Sequence, residues 1–174
     1  MPENLELKAR VRSLHDLAVV ARRIGARKQW TRIQRDTYYD VPKGRLKMRE
    51  STAQPAELIA YRRPDTRGSR RSRYDVFFVD RPRKLKSMLS EALGVRTVVE
   101  KRRTLYLYQN CRIHADRVRG AGTFVEFEVL MTRGNRQASR LLNRMIREFA
   151  VAPADVVGAS YSDLLLHPTR RKRR

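Results

Sequence analysis

An α+β domain built on about eight antiparallel strands, closed into a barrel or bent into a strongly curved sheet, is the fold this sequence predicts. Three observations carry the prediction. Eight segments have strand character, most of them through apolar/polar alternation. Neighbouring segments are joined by turn signals such as Lys43-Gly44 and Gln109-Asn110, which suit antiparallel pairs and not parallel crossovers. Helical spacing is confined to positions after the first and fifth strands and to the C-terminal end.

The elements follow in chain order. In residues 4–11, NLELKARV, Leu5, Leu7, Ala9 and Val11 face one side, and Asn4, Glu6, Lys8 and Arg10 face the other. Over 14–25, Leu14, Leu17, Ala18, Ala21 and Ile24 recur at helical spacing, and Gly25 ends the helix. Residues 29–41, rich in Thr and Tyr, return to a strand that Pro42 closes. The next strand, 45–51, sets Arg45, Lys47 and Arg49 against Leu46 and Met48. Strand 57–63 stops at Pro64, and the stretch 65–72, Gly, Ser and Arg, reads as a mobile loop before strand 73–79. Leu85, Met88, Leu89 and Ala92 predict a helix over 84–93 that Gly94 ends. A long strand over 95–108 and strands over 111–118 and 123–131 complete the sheet, with Gly120 and Gly122 in the last turn. A helix fills about 135–150, and SYSDLLL at 160–166 is a short terminal one. Residues 1–169 thus read as one domain, and 170–174, all basic, as a disordered tail.

Length and composition bound the function. A chain of 174 residues buries a sizeable core without disulfides or a structural metal. The single cysteine, Cys111, fits a reducing compartment, and three scattered histidines with one cysteine exclude zinc-finger spacing. The opening residues alternate in charge without an apolar stretch, and no apolar run approaches a membrane span, so a cytoplasmic protein with no membrane partner is expected. Lys plus Arg number 40 against 18 acidic residues, a formal net charge of +22. Such a charge calls for a polyanionic partner. The tail supplies five of these charges, so the body remains strongly basic.

The polar strand faces make the partner more specific. A single polar face ordinarily points to water. Here, however, like charges recur at i, i+2, on one face of a strand: Arg45, Lys47 and Arg49; Lys101 and Arg103; Glu126 and Glu128. Neighbouring like charges repel, so folding alone does not favour the arrangement, whereas a multiply charged anion between the strands would. Glu6, Asp116, Glu126 and Glu128 are hard oxygen donors suited to Mg2+ or Mn2+ where substrate phosphates complete the shell. Basic and acidic walls together form a cage for a metal-bound triphosphate.

The motifs carry a resemblance. N-x-E-x-K in NLELKARV, then QRDTYYDVPKGRLKMRE, YRRP at 61–64, VVEKRRTLYLY, RIHADRV, GTFVEFEV and the closing SYSDLLL follow the order of the CYTH superfamily, the triphosphate tunnel metalloenzymes. The chain is most similar to the branch around class IV adenylyl cyclases, over essentially 4–166. The resemblance implies an eight-stranded antiparallel β-tunnel with helices packed outside, binding a triphosphate with a divalent metal. It implies Lys8, Lys101 and Arg103 as catalytic contacts and Arg45, Lys47, Arg49 and Arg62 as phosphate contacts. Arg62 shares parity with Leu58 and Ala60, so a bulge or twist is needed to turn it inward. The resemblance implies Glu6, Asp116, Glu126 and Glu128 as metal-binding acids. Asn4 departs from the glutamate of the family motif.

Bland readings stand beside these. Asp116 could pair with a neighbouring arginine, and His114 reads as a wall residue, since a hard metal prefers oxygen. Tyr38 and Tyr39 read as sheet packing, Trp30 as a lid or rim contact, and Cys111 as an inert buried thiol. The expected activity is hydrolysis of a small triphosphate: inorganic triphosphate, ATP or thiamine triphosphate. The alternatives are a class IV adenylyl cyclase making cyclic AMP, and a non-enzymatic module binding polyphosphate or nucleic acid. The tail is expected to make only weak nucleic-acid contacts. Charge inside a tunnel favours the enzyme, and charge on one outer face favours nucleic acid.

Overall fold

Strand β1 (Glu3–Arg10) pairs antiparallel with two partners, β5 (Arg70–Val79) on one edge and β8 (Gly122–Leu130) on the other, and this double pairing closes the sheet. The remaining strands are β2 (Arg27–Tyr39), β3 (Arg45–Ser51), β4 (Gln54–Arg62), β6 (Val95–Tyr108) and β7 (Cys111–Val118). Around the barrel the order is β1-β5-β4-β3-β2-β6-β7-β8. Helices α1 (Leu14–Arg23), α2 (Pro82–Leu93), α3 (Asn135–Glu148) and α4 (Tyr161–Leu166) complete the fold. The computed structural model describes residues 3–62, 64, 66, 68–131 and 135–167; the basic tail 170–174 lies outside them.

Alternation in the strands places the polar faces inward and the apolar faces outward. The outward faces of β1, β7 and β8 contribute Leu7, Ala9, Ile113, Ala115, Val125, Phe127 and Val129 to the largest core cluster. Helix α1 covers it with Leu17 and Ala21, and α3 with Ala138, Leu141, Leu142 and Met145. On the other side, Tyr39, Met48, Ala56 and Val79 lie beneath Leu85, Leu89 and Leu93 of α2. The hydrophobic core is therefore a sleeve outside the barrel, which leaves the interior available for charged groups.

Local signals set the element ends. Ser13 caps α1 by accepting from the Asp16 N–H at 3.1 Å, and Ser160 forms a capping box with Asp163 at α4. Gly44 holds the β2–β3 turn at φ +73°, and a Cβ there would stand 2.9 Å from the Tyr61 carbonyl oxygen, so only glycine fits. Two expectations are corrected. The loop read over 65–72 is shorter, because Arg70, Arg71 and Ser72 begin β5, paired with Glu6, Leu5 and Asn4. Strand β4 starts at Gln54, three residues before its apolar alternation begins, and passes through Pro55.

Candidate active site

The barrel encloses a cavity of about 360 Å³. Its walls are the alternate residues of the strands, including Glu6 and Lys8 of β1, Gln34 and Tyr38 of β2, Lys47 and Arg49 of β3, and Lys101 and Arg103 of β6. His114 of β7 and Glu126 and Glu128 of β8 face them.

One carboxylate organises the basic wall. Asp36 is fully buried on β2 and accepts from Lys47 at 2.9 Å, from Arg49 at 2.7 and 2.9 Å, and from Lys101 at 2.7 Å. Register explains the meeting, since Asp36 lies opposite Arg49 in the β2–β3 ladder and two residues along the same face from Gln34, which pairs with Lys101 across β2–β6. Burial would raise the Asp36 carboxyl, but Arg49, Lys101 and Lys47 outweigh it and hold it well below the usual carboxylate range. Burial likewise pulls the ammonium groups down, Lys47 to about 7 and Lys101 to about 8, with the neighbouring Arg49 adding to the effect and Asp36 opposing it.

A second network joins β1, β6, β7 and β8. Arg103 donates two bonds to Asp116, at 2.7 and 2.6 Å, and one to Glu126. Lys8 lies 3.2 Å from Glu126, donates to the Ala159 carbonyl at 3.1 Å and sits 3.9 Å over the Tyr161 ring. The Tyr161 hydroxyl donates to Asp116 at 2.8 Å. Burial raises the Glu126 carboxyl, yet Lys8 and Arg103 together hold it well below its ordinary value. Arg70 donates to Glu6 at 2.7 Å and to the Gly158 carbonyl at 3.0 Å, tying the segment before α4 to the wall.

The acids at the far side fit a divalent cation. Glu126 and Glu128, two apart on β8, and His114, opposite Glu126 on β7, bring one ligand atom each within 4.8 Å of the others. The His114 Nδ1 is buried without a hydrogen-bond partner. Two carboxylates and an orphaned imidazole nitrogen make a coherent donor set for such an ion.

Most of the residues expected from the sequence converge here: Glu6, Lys8, Lys47, Arg49, Lys101, Arg103, Glu126 and Glu128 all line the cavity. Arg45 shares their face of β3 but reaches past the cavity to donate to Asp163 of α4 at 3.0 Å. Asp116 is saturated by Arg103 and Tyr161 and stands outside the group that could hold an ion. Arg62 is exposed and belongs to the outer face, because no bulge falls between it and Ala56 in the β4–β5 ladder. Trp30 and Tyr38 line the cavity, whereas Tyr39 packs under α2.

Asp36, Arg70 and Tyr161 escaped the sequence reading. The parity of Asp36 with Gln34 and Tyr38, and of Arg70 with Ser72 and Tyr74, was the available signal. Basic residues occupy both sides of the wall, since Arg35, Arg71, Arg102 and Arg117 lie exposed outside. Among the described residues, the group of acids placed to hold a metal lies with the inner set.

A closed eight-stranded antiparallel barrel with an acid- and base-lined interior defines a class of tunnel protein. The sequence matches the CYTH domain over residues 3–149, and the chain belongs to that family. No curated protein sequence matches it. Among solved structures, the PH1012 protein of Pyrococcus horikoshii OT3 is 24% identical with a TM-score of 0.85, over 93% of this chain and 99% of that one. An adenylate cyclase candidate of Vibrio parahaemolyticus is 22% identical with a TM-score of 0.76, over 94% and 97%. The Hippeastrum protein HpAC1, an adenylyl cyclase candidate with a dominant triphosphatase activity, is 17% identical with a TM-score of 0.68, over 97% of both chains. These likenesses concern the fold. No helix among the described residues is long and apolar enough to cross a membrane.

Proposed function

We propose that the tunnel binds a small triphosphate together with a divalent cation and hydrolyses it. The observation that carries this reading is the convergence of Lys8, Lys47, Arg49, Lys101 and Arg103 on the cavity that also holds His114, Glu126 and Glu128. Phosphate oxygens would join the carboxylates as partners of these cations, at little cost in reorganisation because Asp36 holds Lys47, Arg49 and Lys101, Asp116 holds Arg103, and Lys8 lies against Glu126. Phosphoryl transfer needs positioning and charge neutralisation more than covalent help. Arg103, whose fork is held by Asp116, presents a fixed guanidinium, and Lys47 and Lys101, both held by Asp36, add further positive charge. The cation, held by Glu126 and Glu128, would supply further charge neutralisation at the phosphates. Cys111, the one thiol, is buried on the outer side in the core sleeve and pushed up to about 12 by burial, so it is no nucleophile for this reaction.

Cyclisation of ATP is the second reading. Trp30 supports it, because an indole in the cavity wall could stack a nucleobase. A screen of inorganic triphosphate, thiamine triphosphate, ATP and GTP with Mg2+ and Mn2+ separates the two. Phosphate release from inorganic triphosphate is expected, and cyclic AMP as the main product from ATP would reverse the order.

A further inference from the structure

We infer that His114 is a ligand of the divalent cation, which makes this a mixed nitrogen–oxygen site. The inference rests on the reading of the tunnel as a metal–triphosphate site and adds a nitrogen ligand to its two carboxylates. The His114 side chain is 7% exposed, and its Nδ1 lies 3.6 Å from Glu128 Oε1 and 3.8 Å from Glu126 Oε2. Both distances exceed a hydrogen bond. An imidazolium bridging the two carboxylates would be drawn to about 2.8 Å from at least one of them. Two ligands of one ion, each about 2.1–2.2 Å from it, instead stand roughly 3–4.4 Å apart, and the observed spacing falls in that range.

A buried imidazole nitrogen without a partner is costly unless something occupies it. The position is built into the sheet and is not a chance rotamer of a loop. His114 pairs with Glu126 in the β7–β8 ladder, and Glu128 follows two residues on along the same face. Glu126 also answers to Lys8 and Arg103, but among the described residues the cation nearest Glu128 is Arg112 at 4.0 Å, so Glu128 keeps lone pairs for an ion.

Pulsed electron paramagnetic resonance on untagged protein with substoichiometric Mn2+, alone and with inorganic triphosphate, tests the assignment. The Mn2+ echo should carry nitrogen modulation from a directly bound imidazole. His114→Gln should abolish the modulation and weaken Mn2+ binding by about 10-fold. The double variant His15→Gln/His167→Gln, altered at two exposed positions, should keep the modulation, so the assignment stays testable even if His114→Gln folds poorly. Mn2+ bound without nitrogen modulation, or modulation lost in the double variant, overturns the His114 assignment and leaves the tunnel reading standing. Failure of Mn2+ to bind in either condition overturns both.

Discussion

Asp36 and Lys101 meet at 2.7 Å with each side chain 1% exposed, so neither charge has water to fall back on. Asp36 also carries Lys47 and Arg49. The Asp36→Asn variant preserves shape but leaves three cations without their shared counter-charge. Removing one partner of a buried pair costs about 3–5 kcal/mol, and urea unfolding should show a loss of that size. Inorganic triphosphate should restore part of it by binding the folded state alone. A loss under about 1 kcal/mol, the scale of an exposed pair, would mean that the cations are solvated in the empty tunnel.

The depressed lysines predict a proton linkage. Lys47 at about 7 and Lys101 at about 8 are partly neutral in the free protein at mildly alkaline pH. A bound polyanion favours their charged forms and raises both values. Binding near pH 8 therefore takes up protons, and affinity falls as pH climbs through that range. Calorimetry of inorganic triphosphate binding in two buffers of different ionisation heat measures the uptake, which should shrink in Lys47→Met. Equal heats in both buffers would contradict the linkage.

Glu128→Gln removes one carboxylate charge where the nearest cation among the described residues, Arg112, is 4.0 Å away. The fold should therefore survive, while divalent-dependent turnover drops by about 10²-fold, the scale of one electrostatic contact at a reacting centre. Unaltered turnover with unaltered metal dependence would remove Glu128 from the site. Glu126→Gln should be equally inactive but also less stable, since Lys8 and Arg103 both rely on Glu126.

Arg62→Ala should leave triphosphate affinity and turnover within about twofold of wild type, since an exposed outer-face charge contributes little. Lys101→Met should reduce both by at least about 10-fold, because a buried cation is lost from the phosphate path. Comparable losses in the two variants would mean that the outer face takes part in binding.

The inward register of most site residues was legible because strand alternation is a local property. Asn4, Glu6 and Lys8 share a face whatever lies opposite, as do Arg45, Lys47 and Arg49. Arg62 shows the same rule at work: its parity with Ala60 and Leu58 pointed outward, and no bulge reversed it. Arg70 was missed because a glycine- and arginine-containing segment has no apolar alternation of its own. It is a strand through pairing with β1, a tertiary effect.

By itself the sequence determined which residues share a strand face, where the chain turns and that an anion must answer the surplus of positive charge. These depend on spacing along one segment. Which charges become partners was decided only by closure of the barrel. Asp36 reached Lys47, Arg49 and Lys101 because β3 and β6 flank β2, and Asp116 was claimed by Arg103 and Tyr161 because β6 and α4 converge on β7. A carboxylate bears the same charge in a string of letters whether a metal ion or an arginine will face it. Distance and burial choose between the two, and both come into being only when strands far apart in sequence are brought together.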